Sequence, residues 1–258
     1  GKALEVTASS VLRGARGNSG VITSLLFRGF SKGMKDISQA DGGNLANGLT
    51  EGVAAAYKAV LKPAEGTILT VSRMSAEAAV RAAKEDRDCE KVLLAAIEAA
   101  KEALAETTEQ NPVLKKAGVV DAGGFGYIIL LEGMYTALTG KTGLRSVFAP
   151  SLKKPKEESS VAMADFSQFD TGEITFAYCT EFIAEREDKK RSPQKLREFL
   201  EGIGDCVVVV DDDDIIKIHV HTDTPDKALA EGLKYGPLMS IKIENMKEQH
   251  ERLLQENM

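Results

Sequence analysis

The hydrophobic period changes once along this chain, and that change limits the fold more than any other feature. Up to about residue 140 the apolar residues recur at helical spacing. Ile22, Leu25, Leu26, Gly29 and Phe30 share one face, and so do Val92, Leu93, Ala96, Ala99, Ala100 and Leu104. From residue 173 the pattern alternates, with Ile174, Phe176, Tyr178, Thr180 and Phe182 on one side and Cys179, Glu181 and Ile183 on the other. Between them, Pro150 to Ser160 is polar and Pro-bearing, as a linker should be. Charge shifts at the same place. Residues 1–150 carry 18 basic and 16 acidic side chains, whereas residues 151–258 carry 15 and 23. Two domains follow: an all-α part over 1–148, a linker over 149–170, and a second part over 171–258.

Punctuation divides the first part into helices. They run over 2–13, 20–35, from Asn44 as N-cap to just before Pro63, 67–84, 89–106, a short one from Asn111-Pro112 to Gly118, and 124–138 before Gly140. The second part reads as strand 173–184, a helix from Ser192-Pro193 to Gly202, strand 206–210, a turn at Asp211–Asp214, strand 215–221, a helix from Thr224-Pro225 to Tyr235, strand 238–245 and a terminal helix. The order β-α-β-β-α-β predicts a ferredoxin-like α+β domain. The fold class is therefore multi-domain, a helical bundle followed by an α+β sheet.

Composition excludes several roles. At net charge −6 the chain is not a general polyanion binder, and 5% aromatics with no Trp argue against nucleic-acid stacking. No apolar run is long enough for a membrane span. No leader is visible, and three cysteines cannot all pair, so a cytoplasmic, reduced chain is expected. Cys89 and Cys206 show no partners and read as buried and inert. The Asp211–Asp214 run reads as solvated, and His250 as a surface residue on a polar helix.

Three helix starts combine glycine with small polar residues: Gly14-Ala-Arg-Gly-Asn-Ser-Gly20, Glu65-Gly-Thr-Ile-Leu-Thr70 and Val119-Val-Asp-Ala-Gly-Gly-Phe-Gly126. Free N–H groups at a helix start bind anions. The first is no Walker A loop, since no Gly-Lys-Ser/Thr follows. Taken singly, each reads as a tight turn or capped helix; together they could ring one end of a bundle as a nucleotide pocket. The second part offers another constellation. His219 and His221 lie two apart on one strand, and the fold makes the strand carrying Cys179 its neighbour. Cys179, Glu181, His219 and His221 then share the face away from the helices. A thiolate and two imidazoles suit Zn²⁺, with Glu181, His250 or water as fourth ligand. Ile183 and Ile215 on that face call for a cover, and a second copy of the chain is the simplest one.

These segments resemble a known family. Gly14 to Ile22, Lys62 to Thr70 and Gly118 to Gly124 are similar to the Dak2 (dihydroxyacetone kinase L-like) domain of the ATP-binding component of bacterial fatty acid kinases. Tyr178 to Glu181, Lys217 to Thr222 and Ile241 to Met246 are similar to the middle domain of the same family. The resemblance implies a helical barrel that binds ATP and phosphorylates the carboxylate of a fatty acid held by a separate DegV-like binding protein. It implies that Asn18, Ser19 and Gly20 face the phosphates, with Thr67, Ile68 and Ile22 near the nucleoside and Asp121 and Gly123 as the far wall. It agrees with a structural zinc at Cys179, His219 and His221. The family's Mg²⁺-binding Asp-Gly-Asp-Thr-Gly loop would precede Gly14, and no such loop is present before it. The Mg²⁺ ligands are thus expected outside this chain, which by itself is expected to be inactive. The competing classes are a non-catalytic, zinc-stabilised dimerising module and a dihydroxyacetone-kinase-like phosphotransferase.

Overall fold

The structure is a computed structural model and describes residues 2–60, 63–140 and 175–256. The expected linker, Ile174 and the side chain of His250 lie outside the described residues. The described residues open with seven helices, α1 (Lys2–Gly14), α2 (Gly17–Gly33), α3 (Gly42–Ala59), α4 (Ile68–Glu85), α5 (Cys89–Gln110), α6 (Pro112–Ala117) and α7 (Ala122–Thr139). Then come β1 (Tyr178–Glu185), α8 (Gln194–Ile203), β2 (Gly204–Asp211), β3 (Ile215–Thr222), α9 (Pro225–Leu233), β4 (Leu238–Asn245) and α10 (Met246–Glu256). Among the described residues no helix is long and apolar enough to cross a membrane.

Contacts divide the chain into two compact units. Residues 2–6, 26–55 and 64–140 belong to one; residues 7–25, 56–60 and 175–256 belong to the other. In the helical unit α4 packs on α5, and α7 on both. Val71, Leu93, Ile97, Ala100, Ile128 and Leu131 are buried there. Gly29 shows why small residues recur: a Cβ at that position would lie 2.2 Å from the Glu51 carbonyl oxygen of α3. Caps end the helices where the sequence places them, with one correction. Asn44 is not the N-cap of α3. Asp41 Oδ1 accepts from Asn44 N–H while Asn44 Oδ1 accepts from Asp41 N–H, so the pair forms a reciprocal box and Asp41 is the cap.

The sheet has the order β2-β3-β1-β4, all neighbours antiparallel. This is the ferredoxin-like arrangement. Its helix-covered face holds Phe182, Leu196, Leu200, Val209, Ile218, Val220 and Ala228. The other face is not open where it matters. Lys217, His219 and Glu181 there are only 4%, 1% and 3% exposed. Lys217 Nζ donates to the Ala15 carbonyl at 2.5 Å, and Gly17 N–H donates to Glu181. Val60 forms a bridge to Val208, and Arg197 donates to the Ala59 carbonyl. The cover expected from a second copy is thus supplied at these residues by an early segment of the same chain. Periodicity could not show this, because it reports which face is apolar and not what lies on it.

Candidate metal centre and glycine-rich helix starts

The register of the sheet assembles the metal donors. Cys179 of β1 pairs with His221 of β3, and Glu181 with His219. Donor atoms of Cys179, His219 and His221 lie within 4.8 Å of one another. Glu181 Oε1 sits 2.8 Å from His219 Nδ1. A carboxylate only accepts, so Nδ1 carries the proton and Nε2 keeps its lone pair. That Nε2 is buried and has no hydrogen-bond partner. A thiol, two imidazoles and a buried imidazole nitrogen without a partner are the donor types a Zn²⁺ site uses, although the thiol's own close approach to His219 is to Nδ1, at 3.9 Å.

Glu181 takes a different place from the one expected. Its Oε1 is occupied by His219 and by Gly17 N–H. Burial alone would raise its pKa, but these two donors outweigh burial and hold it below the ordinary carboxylate value. Through Oε1 it occupies the place of a carboxylate behind a metal-binding imidazole, which orients the ring. The thiol of Cys179 is pushed up to about 11, chiefly by burial and then by the Glu181 and Glu244 charges. Burial, followed by the neighbouring His219, lowers His221. Both shifts disfavour added charge in the cluster without a cation. A bound cation reverses that balance for the thiol.

Cys206 is the residue that sequence reasoning misread. It is exposed, not buried. Its Sγ lies within 4.8 Å of donors on Asp205 and His221, and its pKa is pushed up to about 11 by desolvation and then by Asp205. Alternation puts Cys206 and Val208 on the face of His219 and His221, opposite Val207 and Val209 of the core, and the β-bulge between Asp205 and Val208, where Cys206 takes φ 50°, brings Asp205 level with His221 as well. The Asp211–Asp214 turn is largely exposed as expected, with Asp214 paired to Lys189 at the surface, while Asp211 pairs with a buried Arg186.

The helix starts fall into both units. Asn18, Ser19, Gly20 and Ile22 belong to the unit with the sheet, and Thr67, Ile68, Asp121 and Gly123 to the helical unit. Gly17 turns the chain into α2 at φ 64°. Ser19 is exposed, and Ile22 is buried. The Asn18 carboxamide hydrogen-bonds Cys206, and its Oδ1 is buried without a partner. In the helical unit, Thr67 accepts from Leu69 N–H and donates to the Ala64 carbonyl, so it caps α4. Asp121 accepts from Gly124 N–H at 2.6 Å, and also from Ile68 and Gly123 N–H. One carboxylate therefore ties the starts of α4 and α7 together, and desolvation raises its pKa. Glu65 accepts from Thr70 and Arg73 in the same loop. A separate cavity of about 410 Å³ is lined by Gly43, Asn47, Thr50, Val80 and Arg87, outside the three glycine-rich segments.

Fold and donor set define a class: a helical domain joined to a ferredoxin-like domain with a Cys/His cluster on one sheet face. Comparison with known proteins makes this specific. Residues 1–136 match the DAK2 domain, and residues 175–253 match the FakA-like middle domain of the fatty acid kinases. The chain belongs to this kinase family. It is 41% identical over 250 residues to an uncharacterized Staphylococcus saprophyticus protein, and 42% and 40% identical to uncharacterized proteins of Staphylococcus haemolyticus and Staphylococcus aureus strain NCTC 8325. Each match covers 96% of this chain and 45% of the relative, so the chain spans about half their length.

Proposed function

We propose that this chain is the ATP-binding part of a kinase that phosphorylates the carboxylate of a fatty acid, held by a DegV-like acyl-binding protein, to give an acyl phosphate. The observation that carries the reading is the DAK2 match over residues 1–136, which encloses all three glycine-rich helix starts. In this reading Asn18, Ser19 and Gly20 are the phosphate-binding residues, Ile22, Thr67 and Ile68 the nucleoside-binding ones, and Asp121 and Gly123 further nucleotide-binding residues. Phosphoryl transfer needs mainly positioning and charge neutralisation, which backbone N–H groups and hydroxyls supply. Mg²⁺ would accompany the nucleotide and neutralise phosphate charge.

Zinc is structural in this reading. Cys179, His219 and His221 hold it, Glu181 fixes the His219 ring, and Cys206 or Asp205 stands beside His221 for a further ligand. Bound zinc would tie β1 to β3. The reading keeps a cytoplasmic protein that forms a homodimer through its α+β part.

The test is calorimetric titration of ADP into the full-length protein and its Ser19→Ala and Thr67→Ala variants. Each lost phosphate or nucleoside contact should cost about 1.5–3 kcal/mol, roughly tenfold to a hundredfold in Kd. Unchanged affinity in both variants rejects the placement.

A further inference from the structure

On the sheet face of the second unit, two contacts are left that the metal site does not account for. Lys217 and Glu181 are both charged and nearly fully buried, on neighbouring strands. Two buried charged groups are a poor device for stability, since apolar side chains would cover the same area with less desolvation. Their partners identify the use. Lys217 Nζ holds the carbonyl of Ala15, and Glu181 Oε1 holds the N–H of Gly17. One acceptor and one donor, two residues apart in the turn before α2, are gripped by two side chains some two hundred residues further along. Burial lowers the Lys217 pKa, and the nearby Glu181 charge partly offsets this, so the two groups also sense each other.

We propose that Glu181 and Lys217 are positioning residues for the nucleotide phosphates: they clamp the Ala15–Gly17 backbone so that the N–H groups of Asn18 to Gly20 keep one orientation. The inference rests on the phosphate role given above to residues 18–20. Gly17 sits at φ 64° with nothing within 4 Å of where a Cβ would be, so no side chain of its own restrains it. A glycine turn left free loses order more readily than any other. The clamp replaces that missing restraint from outside. Glu181 uses the same oxygen for His219 Nδ1, so the clamp and the metal cluster share one carboxylate. A metal held by His219 would favour the Nδ1–H tautomer that Glu181 accepts from, so metal loading would reinforce the carboxylate that holds Gly17.

Three variants, K217M, E181A and E181Q, are compared with the unaltered full-length protein. Each is read by ADP titration, zinc content and amide hydrogen exchange over residues 14–20. K217M removes the grip on Ala15 without touching a metal donor. It should keep its zinc, exchange faster at residues 14–20 and bind ADP roughly tenfold more weakly, the loss of about one well-made hydrogen bond. E181A should do the same and in addition lose zinc affinity. E181Q keeps an acceptor oxygen for Gly17, so it should restore slow exchange and ADP binding to within about twofold of the unaltered protein. If ADP binds the unaltered protein and K217M, E181A and E181Q all match it, the clamp is rejected while the nucleotide reading stands. If ADP does not bind the unaltered protein, the nucleotide reading falls, and exchange at residues 14–20 decides the clamp alone. Unchanged exchange in both K217M and E181A overturns it.

Discussion

The helix starts of the helical unit and the donor cluster of the sheet unit satisfy their polar groups in opposite ways. Thr67 and Asp121 spend their oxygens locally, on Leu69, Ala64, Gly124 and Gly123, with Ile68 as the one longer reach. Cys179, His219, His221 and Cys206 come from three strands, and the cluster they form leaves His219 Nε2 buried and unpaired. A locally capped group is complete before any ligand arrives. A group assembled from distant strands with an orphan lone pair is incomplete, and burial makes the deficit costly. The contrast teaches that stability of the two regions should respond to different agents: mutation of caps in one, removal of a metal in the other.

The largest expected effect is on the sheet unit. Stripping zinc with a chelator, or replacing His219 by Ala, should remove several kcal/mol from its stability, because binding energy of a structural metal is also folding energy. Thermal unfolding followed with metal analysis reads this. A metal-free protein that melts unchanged would break the comparison, since the orphan Nε2 would then need no cation. The helical unit should be nearly indifferent to chelation.

Of intermediate size is the effect of Thr67→Ala on stability. Loss of the cap on Leu69 N–H should cost about 1 kcal/mol, measured by denaturant unfolding of the metal-loaded protein. Adding excess zinc should not restore it. Rescue by zinc would show that the two regions are not energetically separate.

The smallest effect sharpens the local side of the contrast. Desolvation raises the Asp121 pKa, so the folded state favours the protonated acid more than the unfolded chain does. The benefit is fully present below the ordinary value of 3.8 and is lost as pH rises through the raised folded value. Asp121→Asn keeps an acceptor for Gly124 and removes the charge. Its stability should therefore fall less than that of the unaltered protein over this rise in pH, with the two close below 3.8 and the gap persisting once the raised value is passed. An identical pH profile for both would show that Asp121 is not the group that titrates.

The sequence alone determined the elements and their kind. Helical spacing, Gly118 and Gly140 as stops, and Asn111-Pro112, Thr67 and Asp121 as starts are local signals, and the helices begin and end within a few residues of them. The β-α-β-β-α-β order determined which strands pair, and with it the meeting of Cys179, His219 and His221, because period two and a known strand order leave one arrangement. Other features became visible only in the tertiary structure. Asp205 comes level with His221 through a bulge, and with Cys206 it forms a second donor group around that imidazole, which no strand alternation would show. Asp41 and not Asn44 caps α3 because both can accept, and only the backbone path decides which stands outside the helix. Glu181 and Lys217 grip residues 17 and 15 across 164 and 202 positions of chain. No spacing rule connects residues so far apart. Their meeting depends on what folds over the sheet face, and that is a property of packing, not of pattern.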